Sequence, residues 1–362
     1  MTALADRLAA RTLELVDIPS ESRHERAIRE HLLRLVPPAL APEYAGDEAF
    51  LFVPERRPAT PLVVLVGHYD TVPAQQNLPG RIADGAVHGL GASDMKGGLA
   101  VALELVRDLA APGPGSYDVG LLLFGREELP AEHNPLPALF AASDAIRDVA
   151  LAIVLEPTDG RLQLGCLGNL VANLVFHGTS GHAARPWLAD NAIDRAVAGL
   201  GPIVALERRE AVVGGLAFFE VVTVTRLAAG IADNVVPDRA TAMLNLRYPP
   251  DRTPAEAEAY LDSLVPAGAT LELVSNAPPG TVVSDSPLVD ALRRTGELEV
   301  EPKQATTNVA DFTANGVDAV NYGPGHTAYA HRRDELVEIA ALVEAYETLH
   351  RLLTGRIGED GA

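Results

Sequence analysis

The sequence has few cysteines and little positive charge, and each of these two shortages excludes a class of protein. Cys166 is the only cysteine among 362 residues, so the chain can form neither an intrachain disulfide nor a thiolate cluster for a metal ion. There are only two lysines, Lys96 and Lys303, and 29 basic residues stand against 49 acidic ones, which gives a net charge of −20. Nucleic acids and anionic membrane surfaces favour basic partners, so we expect no nucleic acid and no membrane as the main partner.

Long apolar runs are also missing from the sequence. No stretch reaches the roughly 18 apolar residues that a membrane span requires. The first twenty residues form an amphipathic pattern that carries charges at Asp6, Arg7, Arg11 and Glu14, unlike the uncharged core of an export signal. Together with the single cysteine, this pattern predicts a cytoplasmic protein.

The composition, 48% hydrophobic and 22% charged, is typical of a globular protein, and the length favours two domains. In the first part, helical spacing at 4–16 and 25–35 precedes short continuous apolar runs that alternate with a further helix. The apolar runs lie at 61–70, 119–128 and 150–157, and the helix at 95–110. This alternation predicts an α/β domain with a mixed, largely parallel sheet flanked by helices.

From about Gly165 the strands become longer and alternate between apolar and polar residues. These strands are predicted at 167–178, 217–227, 240–248 and 269–275, with helices at 191–207 and 254–264. The order β-α-β-β-α-β predicts an inserted α+β two-layer sandwich. A linker at 276–280, a helix at 286–295, a strand at 317–322 and a helix at 334–354 return the chain to the first domain. We therefore expect a discontinuous catalytic domain, 1–165 and 280–362, with an insertion at 166–279.

Polar side chains gather where the strands of the first domain end. They are His68 and Asp70, Glu127 and Glu128, and Glu156, while Asp94 precedes a helix. The carboxyl ends of strands form the ligand crevice in open α/β sheets. A lone histidine or an acidic pair is more often structural or solvated, but the joint occurrence at three strand ends makes a metal site an equal alternative. Two divalent ions bridged by one carboxylate and a water would use these groups.

Several motifs are identifiable in the order of one known family, from about residue 10 to 350. They are GHYDTVP (67–73), GLGASDMKGG (89–98), REEL (126–129), LEPTDG (155–160), HGTSGHAARP (177–186), NVVPD (234–238) and NYGPG with a later AH (321–331). The sequence thereby resembles the di-zinc aminoacylase and carboxypeptidase family of metallopeptidases. Within it, GHYDTVPAQQNLPGR and HAARPWLADNAI are most similar to the actinobacterial succinyl-diaminopimelate desuccinylases.

The resemblance implies two zinc ions per subunit, for which cobalt or manganese could substitute. His68 and Glu156 would bind the first ion, Glu128 and His331 would bind the second, and Asp94 would bridge them. Imidazole and carboxylate ligands with open positions suit zinc on chemical grounds as well.

The resemblance also implies three catalytic residues around these ions. Asp70 would accept the N–H of the His68 imidazole. Glu127 would be the general base that takes a proton from water and returns it to the leaving amine. His182 would reach the active site of a partner subunit and stabilise the oxyanion, which requires a homodimer formed through the inserted domain. A structural surface histidine is the alternative interpretation of His182.

The residues expected to contact substrate are Asn234, Arg247 and Gly323. An arginine suits the carboxylates of an N-acyl amino acid, although Arg247 could equally form a surface ion pair. Gly323 would let backbone N–H groups approach the substrate, but a plain turn explains the glycine nearly as well.

The implied reaction is hydrolysis of N-succinyl-LL-2,6-diaminopimelate to succinate and LL-2,6-diaminopimelate, a step of lysine biosynthesis. The alternatives are acetylornithine deacetylase, another amidase or carboxypeptidase of the family, and a non-catalytic binding protein on this scaffold. Asn308 and Asp311 occupy places where relatives usually carry aspartate and arginine. This departure bears on the identity of the substrate more than on metal binding.

Overall fold

The computed structural model describes residues 2–110 and 117–355, which divide into two compact units. The first comprises Met1–Leu164, Val283–Glu301 and Asp311–Ala362, and the second comprises Gly165–Val282 and Pro302–Ala310. The sequence-based boundaries assign all of 280–362 to the first domain, whereas 302–310 packs with the second unit. Backbone pairing explains this difference, because the N–H of Leu167 donates to the Ala305 carbonyl at 3.0 Å and the Thr306 hydroxyl donates to the Leu167 carbonyl at 2.8 Å.

The α-helices of the described residues are numbered along the chain. They are α1 (Ala3–Val16), α2 (Arg26–Leu35), α3 (Gly97–Asp108), α4 (Leu136–Ala142), α5 (Ala192–Val204), α6 (Pro254–Ser263), α7 (Pro287–Gly296), α8 (Val309–Ala314) and α9 (Ile339–Leu353).

The strands are numbered in the same way. They are β1 (Leu40–Gly46), β2 (Ala49–Pro54), β3 (Leu62–His68), β4 (Arg81–Ala83), β5 (Ala86–His88), β6 (Asp118–Phe124), β7 (Val149–Val154), β8 (Leu162–Cys166), β9 (Gly168–His177), β10 (Gly181–His182), β11 (Arg209–Val213), β12 (Leu216–Ala229), β13 (Val235–Val236), β14 (Arg239–Tyr248), β15 (Ala269–Ala277), β16 (Val300–Lys303), β17 (Ala319–Asn321) and β18 (Leu336–Glu338).

The central sheet has eight strands in the order β1-β2-β6-β3-β7-β17-β8-β16. Its four middle strands, β6, β3, β7 and β17, run parallel, and antiparallel pairs flank them. Every residue of β3 and β6 is buried, as continuous apolar runs predict for strands covered on both faces. Helices α1, α3 and α9 pack against one another, and α3 lies on β3 and β6. This architecture confirms the predicted mixed, largely parallel sheet with flanking helices.

The second unit contains a five-stranded antiparallel sheet in the order β11-β12-β14-β9-β15. Helices α5 and α6 pack on this sheet around a core of alternating apolar residues, including Leu170, Leu244 and Leu261. Strand β11, which the periodicity does not predict, forms a hairpin with β12 through Gly214 and Gly215. Their φ angles of 58° and 81° suit a two-residue hairpin turn. In the sequence, this Gly-Gly pair was the signal that could have predicted the hairpin.

The last helix begins later than its apolar periodicity predicts. Residues 336–338 are not helical but form β18, which pairs antiparallel with β5. Helix α9 therefore starts at Ile339 rather than at 334, because the backbone groups of 336–338 are used by the strand pairing. Among the described residues, no helix is both long enough and apolar enough to cross a membrane.

Glu220 on β12 is a buried charge that couples the stability of the second unit to pH. Its carboxylate accepts hydrogen bonds from Arg209 at 2.9 and 3.0 Å and from Arg252 at 2.6 and 3.2 Å. Burial acts to raise the pKa of Glu220, but these hydrogen bonds lower it below its usual value. A depressed pKa means that the stabilisation is complete above the unfolded value, about 4.3, and is lost as pH falls through the folded value.

We expect Glu220→Gln to lower the free energy of unfolding at pH 7 by about 1.5–3 kcal/mol, the range for hydrogen bonds to charged groups. The difference from the wild type should shrink as the pH falls below about 4.3, where the wild-type carboxylate of the unfolded chain becomes protonated. Denaturant titrations of the wild type and the variant between pH 7 and pH 3 measure this difference in the free energy of unfolding. A difference that stays constant over this range would contradict the assignment.

Candidate metal centre

Three parallel strands bring four of the predicted polar residues to one edge of the central sheet. Strand β3 ends at His68, which pairs in register with Phe124 at the end of β6, and Val66 of β3 pairs with Val154 at the end of β7. Glu127 and Glu128 follow β6 in a turn, and Glu156 follows β7. The carboxyl ends of these strands are adjacent because the strands are parallel neighbours, as the crevice rule for α/β sheets requires.

Asp94 and His331 reach the same place from outside the sheet. Asp94 lies in a short π-helical turn, Ala92–Lys96, that precedes α3, and its own backbone is not helical (φ −119°, ψ 92°). Asp94 Oδ1 lies 3.2 Å from His68 Nε2, and Asp94 Oδ2 lies 3.4 Å from His331 Nε2. One carboxylate thus faces two imidazoles with its two oxygens.

Each imidazole also faces a second carboxylate. His331 Nε2 lies 3.0 Å from Glu128 Oε2, and His68 Nε2 lies 3.6 Å from Glu156 Oε1. Ligand atoms of His68, Asp94 and Glu128 all lie within 4.8 Å of one another. The arrangement has one histidine and one carboxylate on each side of Asp94, and this nitrogen and oxygen donor set fits a divalent metal such as zinc.

The hydrogen bonds of His68 determine which of its ring nitrogens is available to bind a metal. His68 Nδ1 lies 3.1 Å from the backbone carbonyl oxygen of Asp70 and 3.5 Å from its carboxylate. Because a carbonyl oxygen can only accept, Nδ1 carries the proton and donates it. In the neutral ring, Nε2 then presents its lone pair toward Asp94.

The carboxylate of Asp70 has further partners besides the His68 ring that the sequence predicts. It accepts the backbone N–H groups of Glu127 at 3.0 Å and Glu128 at 3.2 Å, and the hydroxyl of Ser22 at 2.6 Å. Burial acts to raise the pKa of Asp70, but hydrogen bonds, that of His68 foremost, lower it overall. Asp70 therefore faces the His68 ring with both its main-chain carbonyl and its carboxylate, and it holds the Glu127–Glu128 turn through its side chain.

The electrostatics of the cluster favour a cation. Hydrogen bonds to Asp94 and Glu128 raise the pKa of His331 to about 10. Burial opposes protonation of His68, yet the neighbouring carboxylates raise its pKa well above the usual value. Burial would raise the pKa of Asp94, but the two histidines lower it far below its ordinary range. The carboxylates thus raise the pKa values of the two histidines, and the histidines lower that of Asp94, so the cluster favours positive charge at the place where a metal ion would supply it.

Glu127 differs from the carboxylates that face the histidines. Burial raises its pKa well above the ordinary value, and the charges of Glu156, Glu128 and Asp94 raise it further, although His68 opposes them. A carboxylate with an elevated pKa is suited to taking up a proton and giving it back near neutral pH. The backbone of Arg126, immediately before it, has a φ of 65°, a conformation that turns the chain sharply after β6.

The sequence-based reasoning missed two residues that support the cluster, Ser22 and Glu335. Ser22 lies near the chain's start, and no motif connects it with Asp70. Glu335 is 2% exposed, and its carboxylate accepts backbone N–H groups of the turn that carries Asp94. Its position four residues after His331 was a signal, but the predicted helix at 334–354 placed it in an ordinary first helical turn.

His182 ends β10 in the second unit, and Asn234 directly precedes β13, the strand that pairs with it. Strands β10 and β13 pair, and the N–H of Ala183 donates to the Asn234 carbonyl at 2.9 Å. The exposed His182 ring accepts the N–H of Ala184 at Nδ1, 3.1 Å away. In its neutral form the ring therefore carries its proton on Nε2.

Arg247 lies on β14 of the same unit and is partly buried. Its Nε donates to Asn245 Oδ1 at 2.9 Å and its Nη1 donates to Thr306 Oγ1 at 3.0 Å. Burial lowers its pKa, and no ion pair joins it to a carboxylate within the part of the chain that the structure describes. The guanidinium is oriented by neutral groups, an arrangement suited to binding an external anion.

Gly323 has a structural reason to be glycine. A Cβ at this position would lie 2.3 Å from the Leu155 carbonyl oxygen, next to Glu156. The Thr158 hydroxyl donates to the Gly323 carbonyl at 3.1 Å. Close approach to the β7 end therefore explains the glycine.

The two positions that depart from the family pattern are also in ordered surroundings. Asn308 is 7% exposed, and Asp311 accepts a hydrogen bond from the Asn134 side chain at 3.0 Å. A carboxylate at 311 is thus part of the local packing of the first unit.

A largely parallel sheet whose strand ends carry imidazoles and carboxylates around one centre defines a metal-dependent hydrolase. The chain belongs to peptidase family M20/M25/M40, whose sequence profile matches residues 64–355. A Mycobacterium tuberculosis protein assigned as a succinyl-diaminopimelate desuccinylase is 35% identical over 353 residues, covering 95% of this chain and 97% of that protein.

Two further comparisons agree with this membership. The succinyl-diaminopimelate desuccinylase of Corynebacterium glutamicum is 33% identical, covering 92% of this chain and 94% of that protein. The YXEP protein of Bacillus subtilis, described as a dinuclear metal-binding peptidase of the M20 family, has the same fold, with a TM-score of 0.70 at 15% identity over 99% of both chains.

Proposed function

We propose that this protein hydrolyses N-succinyl-LL-2,6-diaminopimelate to succinate and LL-2,6-diaminopimelate, using two zinc ions per subunit. The observation that carries the proposal is the carboxylate of Asp94, whose two oxygens face His68 and His331 at 3.2 and 3.4 Å. His68 and Glu156 would hold one ion, and His331 and Glu128 would hold the other. Asp94 would bind both ions. The similarity to desuccinylases over nearly the full chain supports the choice of substrate.

The protein's own residues would move the proton that amide hydrolysis requires. Bound divalent cations, zinc or in its place cobalt or manganese, supply Lewis acidity that polarises the amide carbonyl and lowers the pKa of water. Glu127 accepts a proton from the attacking water as the new C–O bond forms at the succinyl carbon. It then returns the proton to the diaminopimelate nitrogen as the C–N bond breaks. Asp70 keeps Glu127 in place through the hydrogen bond from its backbone N–H.

Residues of the second unit would recognise the substrate and stabilise its charge. His182 would donate its Nε2 proton to the developing oxyanion in the partner subunit. Arg247 would bind a substrate carboxylate, and its neutral partners Asn245 and Thr306 support this role. Asn234, which directly precedes the strand paired with β10, would contact the substrate, and Gly323 of the first unit would border it. The acidic chain with its single cysteine is consistent with a cytoplasmic place for the reaction.

The proposed homodimer has support from apolar residues on the outside of α5. Ala192, Ala196, Leu200 and Ile203 of this helix are buried in the core of the second unit. On its other side Val197 and Val204 are 68% and 69% exposed. Trp187 and Leu188 precede the helix and are 75% and 71% exposed. Exposed apolar side chains of this kind on a charged protein support a protein–protein contact, and we infer that a second copy of the chain would cover them.

Val197→Glu is expected to convert the dimer into a monomer, because it places a charge in the apolar contact. Light scattering after gel filtration should give twice the chain mass of 38.2 kDa for the wild type and the single mass for the variant. If His182 acts across the interface, turnover should fall together with the mass while the melting temperature stays similar. A wild-type protein that is fully active as a monomer would refute both the dimer and the role of His182 in trans.

Hydrolysis assays with three substrates test the proposed reaction. Protein loaded with Zn²⁺ or Co²⁺ is given N-succinyl-LL-2,6-diaminopimelate, N-acetylornithine and a dipeptide, and kcat/KM is compared. We expect the succinyl substrate to be preferred. Preference for acetylornithine or the dipeptide would instead support another amidase or carboxypeptidase of the family. The departure from the family pattern at Asp311 would then be the first place to look for the change of substrate. Binding without hydrolysis of all three would support a non-catalytic protein.

A further inference from the structure

Glu335 is a buried carboxylate directly behind the metal centre. It is 2% exposed, and both of its oxygens accept backbone N–H groups from a single turn. Oε2 accepts from Gly91 at 2.9 Å, and Oε1 accepts from Ser93 and from Asp94 at 3.0 Å each. One side chain thus satisfies three N–H groups of the turn that ends at Asp94.

The segment also makes backbone hydrogen bonds of its own, from the N–H of Ala92 to the Gly89 carbonyl at 3.1 Å and from the N–H of Lys96 to the Gly91 carbonyl at 2.7 Å, but the N–H groups of Gly91, Ser93 and Asp94 donate to Glu335. Gly91 has a φ of 78°, and the backbone of Asp94 departs from helical geometry, so the regular hydrogen bonds of α3 begin only after it. Buried N–H groups without an acceptor cost about 1–3 kcal/mol each. The Glu335 carboxylate supplies acceptors for these N–H groups. It thereby fixes the position of the Asp94 main chain, from which the Asp94 side chain extends.

The main chain of Glu335 connects the same turn to the segment of His331. The N–H of Gly89 donates to the Glu335 carbonyl at 3.0 Å, and the N–H of Glu335 donates to the Arg332 carbonyl at 3.3 Å. Glu335 follows His331 by four residues. The segment that carries one histidine and the turn that carries the shared carboxylate are therefore joined through one residue.

A second buried charge, that of Lys96, offsets part of the free-energy cost of burying the Glu335 carboxylate. Lys96 is 1% exposed, donates its Nζ proton to the Ile18 carbonyl at 2.9 Å and is attracted by Glu335. A buried charge is costly unless an opposite charge and hydrogen bonds compensate for it. The three backbone N–H donors and the attraction to Lys96 offset part of this cost, while burial still raises the pKa of Glu335 to about 7.

We propose that Glu335 is a positioning residue of the metal centre, which sets the distance between Asp94 and His331 and so the affinity for metal. The inference rests on the proposed function in so far as these two residues bind metal. Outer partners of metal ligands typically change affinity or activity by about 10- to 100-fold when they are replaced. A residue that only stabilised the turn would change the melting temperature and leave metal affinity as it is.

The test compares full-length wild-type protein with Glu335→Gln, Glu335→Asp and the control Glu338→Gln, all stripped of metal and then titrated calorimetrically with Zn²⁺. Glutamine in place of Glu335 would keep the size of the side chain but offer one acceptor oxygen, and its amide N–H₂ would meet an N–H donor. Glu338 lies three residues away and is exposed, so its substitution makes the same change of charge away from the turn. Melting of the metal-free proteins and separate values of kcat and KM complete the comparison.

We expect Glu335→Gln to weaken Zn²⁺ binding by about 10- to 100-fold and to lower kcat more than it raises KM. Glu335→Asp, which keeps the charge, should recover part of the affinity, and Glu338→Gln should match the wild type. Wild-type Zn²⁺ affinity in Glu335→Gln, with only a lower melting temperature, would overturn the proposal. Should Glu335→Gln fail to fold, unchanged affinity in Glu335→Asp would overturn it equally.

Failure of the proposed function would give a different pattern. Wild-type protein that binds Zn²⁺ but hydrolyses no succinyl substrate would contradict the reaction, while a loss of affinity in Glu335→Gln would still support the positioning role. Wild-type protein that binds no Zn²⁺ at all would overturn both proposals.

Discussion

Glu127→Gln is expected to keep its metal and to lose about 10²- to 10⁴-fold in kcat, the range that a positioned general base contributes. Glutamine preserves the size of the side chain and the backbone N–H that donates to Asp70 at 3.0 Å, so the turn should remain intact. The amide, however, cannot accept a proton. Turnover of the succinyl substrate at saturation and elemental analysis for zinc measure the two effects separately.

Glu132→Gln is a suitable control for this experiment. Glu132 follows the same turn, and its side chain is 70% exposed, so its substitution changes the charge without touching the cluster. We expect wild-type turnover from it. Near-wild-type turnover of Glu127→Gln would show that another group transfers the proton, and loss of zinc from this variant would show that Glu127 is a ligand instead.

Asp94→Asn is expected to have the second large effect, this time on metal binding. Asparagine has one oxygen that can bind a cation and no charge, so it cannot serve both histidines as the carboxylate does at 3.2 and 3.4 Å. We expect the zinc content to fall from two ions to at most one per chain. Turnover should fall by at least about 100-fold, because electrostatic stabilisation at the reacting carbonyl is lost.

The contrast between the two variants is the informative result. Glu127→Gln should retain two zinc ions and lose activity, whereas Asp94→Asn should lose both. The melting temperature of metal-free Asp94→Asn should stay near that of the wild type, since the N–H to Glu335 does not depend on the side chain. Two tightly bound zinc ions in Asp94→Asn would contradict a bridging role for this residue.

Much of the central sheet of the first unit was predictable because its middle strands are buried on both faces. Continuous apolar runs located β3, β6 and β7, and the parallel arrangement then required His68, Glu127 and Glu156 to meet at one edge. Short or partly exposed strands such as β8 and β11 have weak periodicity and were not predicted. The predicted start of α9 was wrong because the apolar pattern of residues 336–338 also fits a helix. In the structure these residues form β18 and pair with β5.

Contacts made through the backbone could not be predicted at all. The Asp70 carboxylate binds two N–H groups of the Glu127–Glu128 turn, and Glu335 binds three of the turn at Asp94. Every residue except proline has such an N–H, so side-chain identity carries no signal for these pairings. The distance in sequence, 57 and 58 residues for Asp70 and at least 241 for Glu335, removes any local signal as well.

The sequence by itself determined the fold class, the family and the chemical types of the residues in the cluster, because apolar periodicity and short motifs depend on neighbouring residues. Only the tertiary structure decided how these residues are held: which oxygen of Asp94 faces which histidine, which nitrogen of His68 is protonated, and which buried carboxylate supports the turn. The physical reason is that distances of a few ångströms between remote segments depend on packing and on backbone hydrogen bonds, neither of which is specified by any single stretch of sequence.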